Sequence, residues 1–148
     1  MLWRMPDRRL VKLLERIVLA GVGLTTRALA EAVPGFDLTL PQWRVLVVLG
    51  EDRHGATVSE VAGRIGVTVP ATSRQLRRLA RRGLVEIGPD ARDRRAARAQ
   101  LTRSGRTARG AIMTFRRRRI ATSASNIKVA ETTMRELTVV ADALDQYR

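Results

Sequence analysis

Between residues 57 and 83 the chain carries helix start and stop signals spaced so closely that they dictate the local fold. Thr57-Val58-Ser59-Glu60 is a capping-box pattern, a hydroxyl at the N-cap with a carboxylate three residues on. It opens a short helix, Val58 to Ile65, whose apolar face is Val61, Ala62 and Ile65, and Gly66 stops it. After the turn Gly66-Val67-Thr68 a second helix runs from about Val69 to Arg82, with Thr68 as N-cap, Pro70 in the first turn and Gly83 as the stop. Its inner face is Thr72, Leu76 and Leu79. A short capped helix, a three-residue turn and a second helix with small and basic outer residues form a helix-turn-helix pattern.

In such a unit the second helix lies in the major groove of double-stranded DNA, with its N-terminal residues nearest the base edges. Thr68 caps that end, and Val69, Pro70, Ser73, Arg74, Arg77, Arg78 and Arg81 face away from the Leu76/Leu79 side. Arg74 and Arg77 are expected at bases, and Arg78 and Arg81 at the backbone. The alternative for an isolated helix is a solvated cationic face. The charge distribution bears on the choice: of 28 basic and 14 acidic residues, 14 basic and 4 acidic fall between 53 and 109. A net +10 on the middle of the chain points to an anionic partner, and its arginines carry the planar fork that pairs with phosphate and with guanine.

The segment after Gly83 strengthens the nucleic-acid reading. Leu84 to Ile87 is a short β-rich run, Gly-Pro-Asp 88–90 a turn, and Ala97 to Leu101 a second, weak strand. Arg92, Asp93, Arg94 and Arg95 sit at the tip of this hairpin, where no packing demand gathers arginines. Such a wing is expected in the minor groove, whose negative potential attracts arginine. Asp93 then serves to orient Arg95 by a charge-assisted hydrogen bond; a turn salt bridge without DNA function is the other reading.

The flanks read as helices. Asp7 is an N-cap for a long first helix carrying Leu10, Leu13, Leu14, Ile17, Val18 and Leu24 to about Val33-Pro34-Gly35. Thr39-Leu40-Pro41-Gln42 is a second capping box, opening an apolar helix with Trp43, Leu46, Val47 and Leu49 to Gly50, and 51–56 is a polar turn. Thr102 caps a helix through Ala108, Ile112 and Phe115 to about Ser123. A last helix spans roughly Val129 to Tyr147, with Ala130, Met134, Leu137, Ala141 and Leu144 as a seam for another helix. At 148 residues and 45% apolar content the chain is one domain long. With no cysteine and a single histidine, His54, it offers no thiolate chemistry, no familiar metal site and no cofactor motif. The apolar run Ile17 to Leu24 is too short for a membrane span and a poor signal peptide, so a soluble cytoplasmic protein is expected.

The succession Leu-Pro-Gln-Trp-Arg-Val-Leu (40–46), Thr-Val-Ser-Glu-Val-Ala (57–62), Pro-Ala-Thr-Ser-Arg (70–74), Arg-Gly-Leu-Val (82–85), Asp-Ala-Arg-Asp-Arg-Arg (90–95) and Leu-Thr-Arg-Ser-Gly (101–105) closely resembles the MarR family of bacterial winged helix-turn-helix regulators. The resemblance implies a mostly α fold with a small β-wing: a single domain over 1–148, with a winged helix-turn-helix lobe at 38–105 and a helical dimerisation lobe from 7–34 and 106–147. It implies a homodimer on an inverted-repeat operator, acting as a repressor released by a small-molecule inducer, with no enzyme activity and no membrane partner. The family's recognition helix falls on Thr68 to Arg82 and its Asp-x-Arg wing element on Asp93 and Arg95. No motif fixes the inducer pocket. The chain departs from the family at Arg98, a wing-strand position usually apolar, in the alanine-rich strand 96–99, and at Lys128-Val129-Ala130-Glu131, which lacks the usual start of the last helix. A nucleoid-type architectural protein without sequence preference is the alternative, and a membrane-surface protein a weaker one. The terminal helices expose more apolar surface than one lobe covers, so truncation before Val129 is expected to abolish folding.

Overall fold

The computed structural model describes residues 7–90 and 96–145. It is mostly helical, with α1 (Arg8–Glu31), α2 (Leu40–Leu49), β1 (Ala56–Thr57), α3 (Val58–Ile65), α4 (Val69–Arg81), β2 (Val85–Pro89), β3 (Ala97–Leu101), α5 (Arg103–Ala124) and α6 (Glu131–Asp145). Local hydrogen bonding explains where the helices begin. The Asp7 carboxylate accepts from the Arg9 N–H at 2.8 Å, and the Thr68 hydroxyl from Ala71 at 3.4 Å. Both capping boxes close: Thr39 with Gln42 at 3.4 and 3.1 Å, and Thr57 with Glu60 at 3.2 and 2.7 Å. Each such cap stabilises its helix by about 1 kcal/mol. Gly66 ends α3 in the left-handed region at φ 68°, a conformation that costs glycine nothing.

The strands differ from the sequence-based expectation in two places. Ala56, assigned to a polar turn, forms β1 with Thr57 and pairs antiparallel with β3, Ala56 opposite Ala99 and Thr57 opposite Arg98. Two residues are too few for periodicity to show, and only the partner strand makes them a strand. β2 also outlasts the expected Ile87, with Gly88 opposite Arg98 and Pro89 opposite Ala97. The sheet order is β1-β3-β2, so β2 is an edge strand, where a proline's missing N–H is tolerated. At the last helix, α6 begins at Glu131 rather than Val129.

The core lies between α2 and the elements wrapped round it. Val45, Leu46 and Leu49 of α2, Val61 of α3, Leu76 and Leu79 of α4, Leu84 and Ile112 of α5 are almost wholly buried. Trp43 is buried in the same cluster. α5 is fastened to the turn after α4 by its own start: the Thr102 N–H donates to the Leu84 carbonyl at 3.1 Å and its hydroxyl to the Gly83 carbonyl at 2.6 Å. Gly105 lies so close to the Leu84 carbonyl that a β-carbon there would collide with it. The terminal helices contrast with this. α1 buries only Thr25, Ala28 and Leu29 near its C-terminal end, and α6 buries no residue.

Candidate nucleic-acid interface

α4 separates its two faces cleanly. Thr72, Leu76 and Leu79 are buried, the Thr72 hydroxyl donating to the Thr68 carbonyl at 3.1 Å, while Thr68, Val69, Pro70, Arg74, Arg77, Arg78 and Arg81 are exposed. Ser73 is half-buried, at the edge of the outer face. The 3.6-residue period thus brings Arg74, Arg77, Arg78 and Arg81 to one surface, contiguous with the capped helix N-terminus, whose N–H groups favour an anion. Arg82, the next residue in the same arginine-rich run, points elsewhere. Its guanidinium donates to the carbonyls of Phe36 at 2.7 Å and Asp37 at 3.2 Å and to the Gln42 side chain at 3.3 Å. It ties the end of α4 to the connection between α1 and α2, a role that sequence reasoning missed and that helical periodicity alone does not signal.

The wing residues Arg92, Asp93, Arg94 and Arg95 lie outside the described residues; the base of the hairpin is described. There the Asp90 N–H donates to the Ala96 carbonyl at 2.9 Å. Arg98, a departure in the sequence that weakens the expected wing strand, sits in a formed β3 and makes several polar contacts. Its Nε pairs with the buried Asp90 carboxylate, its Nη1 donates to the Gly55 carbonyl at 2.8 Å, and its Nη2 lies 3.7 Å from Glu60. The hydrogen bond with Asp90 foremost holds the Arg98 guanidinium further above its ordinary pKa. Glu60 is held below the usual carboxylate range, first by the Thr57 backbone N–H, then by the Thr57 side chain, with Arg98 adding to the effect against some desolvation.

Elsewhere, a cleft of about 610 Å³ between the C-terminal end of α1 and the middle of α5 is lined by Ala32, Ala111, Phe115, Arg118 and Arg119 among others. The Arg119 guanidinium stands 5.3 Å from the centre of the Phe115 ring. Among the described residues no group of His, Cys, Asp or Glu is placed to hold a metal ion, and no helix is long and apolar enough to cross a membrane.

A capped two-helix unit with its outward basic helix, followed by a two-stranded hairpin that completes a three-stranded sheet, is a winged helix-turn-helix. Residues 36–96 match the profile of the MarR family, and the chain carries the fold of that family's transcriptional regulators. RV1404 from Mycobacterium tuberculosis is similar at TM-score 0.74 and 27% identity, over 90% of this chain and 92% of that one. CouR from Rhodococcus jostii RHA1, solved bound to p-coumaroyl-CoA, superposes at TM-score 0.73 with 21% identity, over 96% and 95% of the two chains. A mutant of S. aureus MepR, solved bound to an oligodeoxyribonucleotide, gives TM-score 0.65 and 23% identity, over 93% and 97%. No curated protein sequence matches the chain.

Proposed function

We propose that the chain is a sequence-specific double-stranded DNA-binding transcriptional regulator, a homodimer on an inverted-repeat operator that acts as a repressor released by a small molecule. The observation that carries this is the outer face of α4. Arg74, Arg77 and Arg78 are exposed beside a capped helix N-terminus with Val69, Pro70 and Ser73, in the part of the chain that holds most of the net positive charge. In this reading that face enters the major groove and Arg92, Arg94 and Arg95 of the wing enter the minor groove, with Asp93 orienting Arg95. The exposed Leu13, Ile17 and Leu19 of α1 and Met134, Leu137 and Leu144 of α6 form the dimer surface, since apolar area of that extent calls for a partner. The 38–105 lobe binds DNA, and 7–34 with 106–147 dimerise.

The inducer reading is supported by the ligand-bound structure of CouR, and in this chain by the α1/α5 cleft, where an aromatic ring and two cations suit an anionic organic molecule.

Affinity for a DNA fragment selected by the protein from a random pool, compared with unselected DNA across a salt series, tests the reading. Arg74→Ala or Arg77→Ala should cost about 1–3 kcal/mol on the selected fragment if the contact is bidentate to guanine. Specificity should fall with it, and each lost phosphate contact should flatten the salt slope by about 0.9. Equal affinity for selected and unselected DNA would replace this reading with that of an architectural protein.

A further inference from the structure

We infer that Arg98 is a positioning residue for DNA binding: one guanidinium ties the base of the wing at Asp90 to the start of the helix-turn-helix at Gly55 and Glu60, and so fixes the point from which the wing is offered to DNA. This rests on the proposed reading of the wing as a DNA contact.

The register of the sheet explains how one side chain reaches so many partners. β3 is the central strand, and Arg98 stands between Gly88 on β2 and Thr57 on β1. Asp90, two residues further along β2's exit than Gly88, is the diagonal neighbour of Arg98 and within reach of a long side chain. On the other side Thr57 is the N-cap of α3, and its capping partner Glu60 is thereby brought to 3.7 Å from Arg98. The third direction is supplied by the loop before β1. Gly55 adopts φ 70° and packs so tightly on the Ala99 carbonyl that no β-carbon fits, and this presents its own carbonyl to Arg98 at 2.8 Å. A planar fork of five donors hydrogen-bonds the Asp90 carboxylate and the Gly55 carbonyl at fixed angles while keeping Glu60 as an ion-pair partner, which a lysine ammonium on a flexible stem does not.

The energetic stake is at Asp90, which is only 4% exposed. A buried carboxylate is tolerated when it is paired and hydrogen-bonded, and Asp90 is the last described residue before the tip of the hairpin. Pairing it with Arg98 therefore fixes the point from which the chain leaves for the wing. Arg98 lies outside the apolar cluster of Leu46, Leu49, Leu76 and Leu79, so its loss leaves that core intact.

A double-mutant cycle on the selected DNA fragment tests the inference, with a thermal melt of each variant. Arg95→Ala and Arg98→Ala should each weaken binding, by about tenfold where a full minor-groove contact of some 1.4 kcal/mol is lost. The double variant should be no weaker than the weaker single one, because a wing no longer held loses its arginine contact already. Arg98→Lys should fall between, while Arg74→Ala and Arg98→Ala should multiply. Should Arg98→Ala melt below the assay temperature, Arg98→Lys carries the same cycle. Multiplicative losses for Arg95 and Arg98, or wild-type affinity in Arg98→Ala, would overturn the role of Arg98 while leaving the wing contact standing. Wild-type affinity in Arg95→Ala would remove the wing contact itself and the Arg98 inference with it.

Discussion

The winged helix-turn-helix lobe and the terminal helices both carry apolar helix faces, and those faces end in opposite states. In the lobe, Leu46, Leu49, Leu76, Leu79 and Leu84 are at most 1% exposed; in the terminal helices, Leu13 is 50%, Ile17 55% and Leu137 43% exposed. The lobe's helices are short and meet at α2, so each apolar face finds several others within its own chain. Among the described residues, no element buries α6 or the first half of α1. Helical periodicity announces that a face is apolar and says nothing about which molecule covers it.

The largest effect that bears on this contrast is expected inside the lobe. Leu79→Ala should cost about 2–5 kcal/mol of stability in denaturant unfolding, the range for a buried leucine. The matched change in α6, Leu137→Ala, should cost the lobe less than about 0.5 kcal/mol and show instead as weaker self-association in sedimentation. Equal costs at concentrations where the chain is monomeric would erase the distinction. A smaller effect on the lobe is expected from deleting residues 127–148. The sequence alone suggested that such a truncation abolishes folding, but no residue of α6 is buried, so the lobe should keep a cooperative melt while the protein sediments as a monomer. Loss of the melt would show that the lobe needs its terminal helix.

The smallest effect concerns the edge of the lobe. Glu60→Gln keeps an acceptor for the Thr57 N–H, as Gln42 does for Thr39, and loses the charge that strengthens the Thr57 hydrogen bonds and faces Arg98, a small effect at so exposed a carboxylate. Because the folded-state pKa of Glu60 is lowered, its contribution is present above the ordinary value of 4.5 and is lost as pH falls through the lower folded value. The melting-temperature gap between wild type and Glu60→Gln should therefore be constant near neutrality and close in acid. A gap that widens in acid would contradict the lowered pKa.

Much of the candidate interface was legible before folding. The outward set Arg74, Arg77 and Arg78 follows from the helical period once Leu76 and Leu79 are placed inside, and Thr68 as N-cap from its hydroxyl and the proline two residues on. Arg82 belongs to the same run of charges and was indistinguishable from them by composition, yet its guanidinium bonds the carbonyls of Phe36 and Asp37. Arg98 looked like a flaw in a strand, because the pattern of a short strand does not reveal that a buried aspartate lies on the diagonal across the sheet.

What the sequence by itself determined were the starts of the capped helices and the faces of α3 and α4, since caps and periodicity depend on atoms three or four residues apart: Thr39 with Gln42, Thr57 with Glu60, Thr102 with Gly105. What only the tertiary structure decided were β1, the close approach of Gly105 to Leu84 and the anchoring roles of Arg82 and Arg98. These bonds join residues up to 46 positions apart, Arg82 to Phe36 and, at 43, Arg98 to Gly55. A hydrogen bond of that span exists only after the sheet register and the packing on α2 have set both ends in place, and no local preference of either residue encodes it.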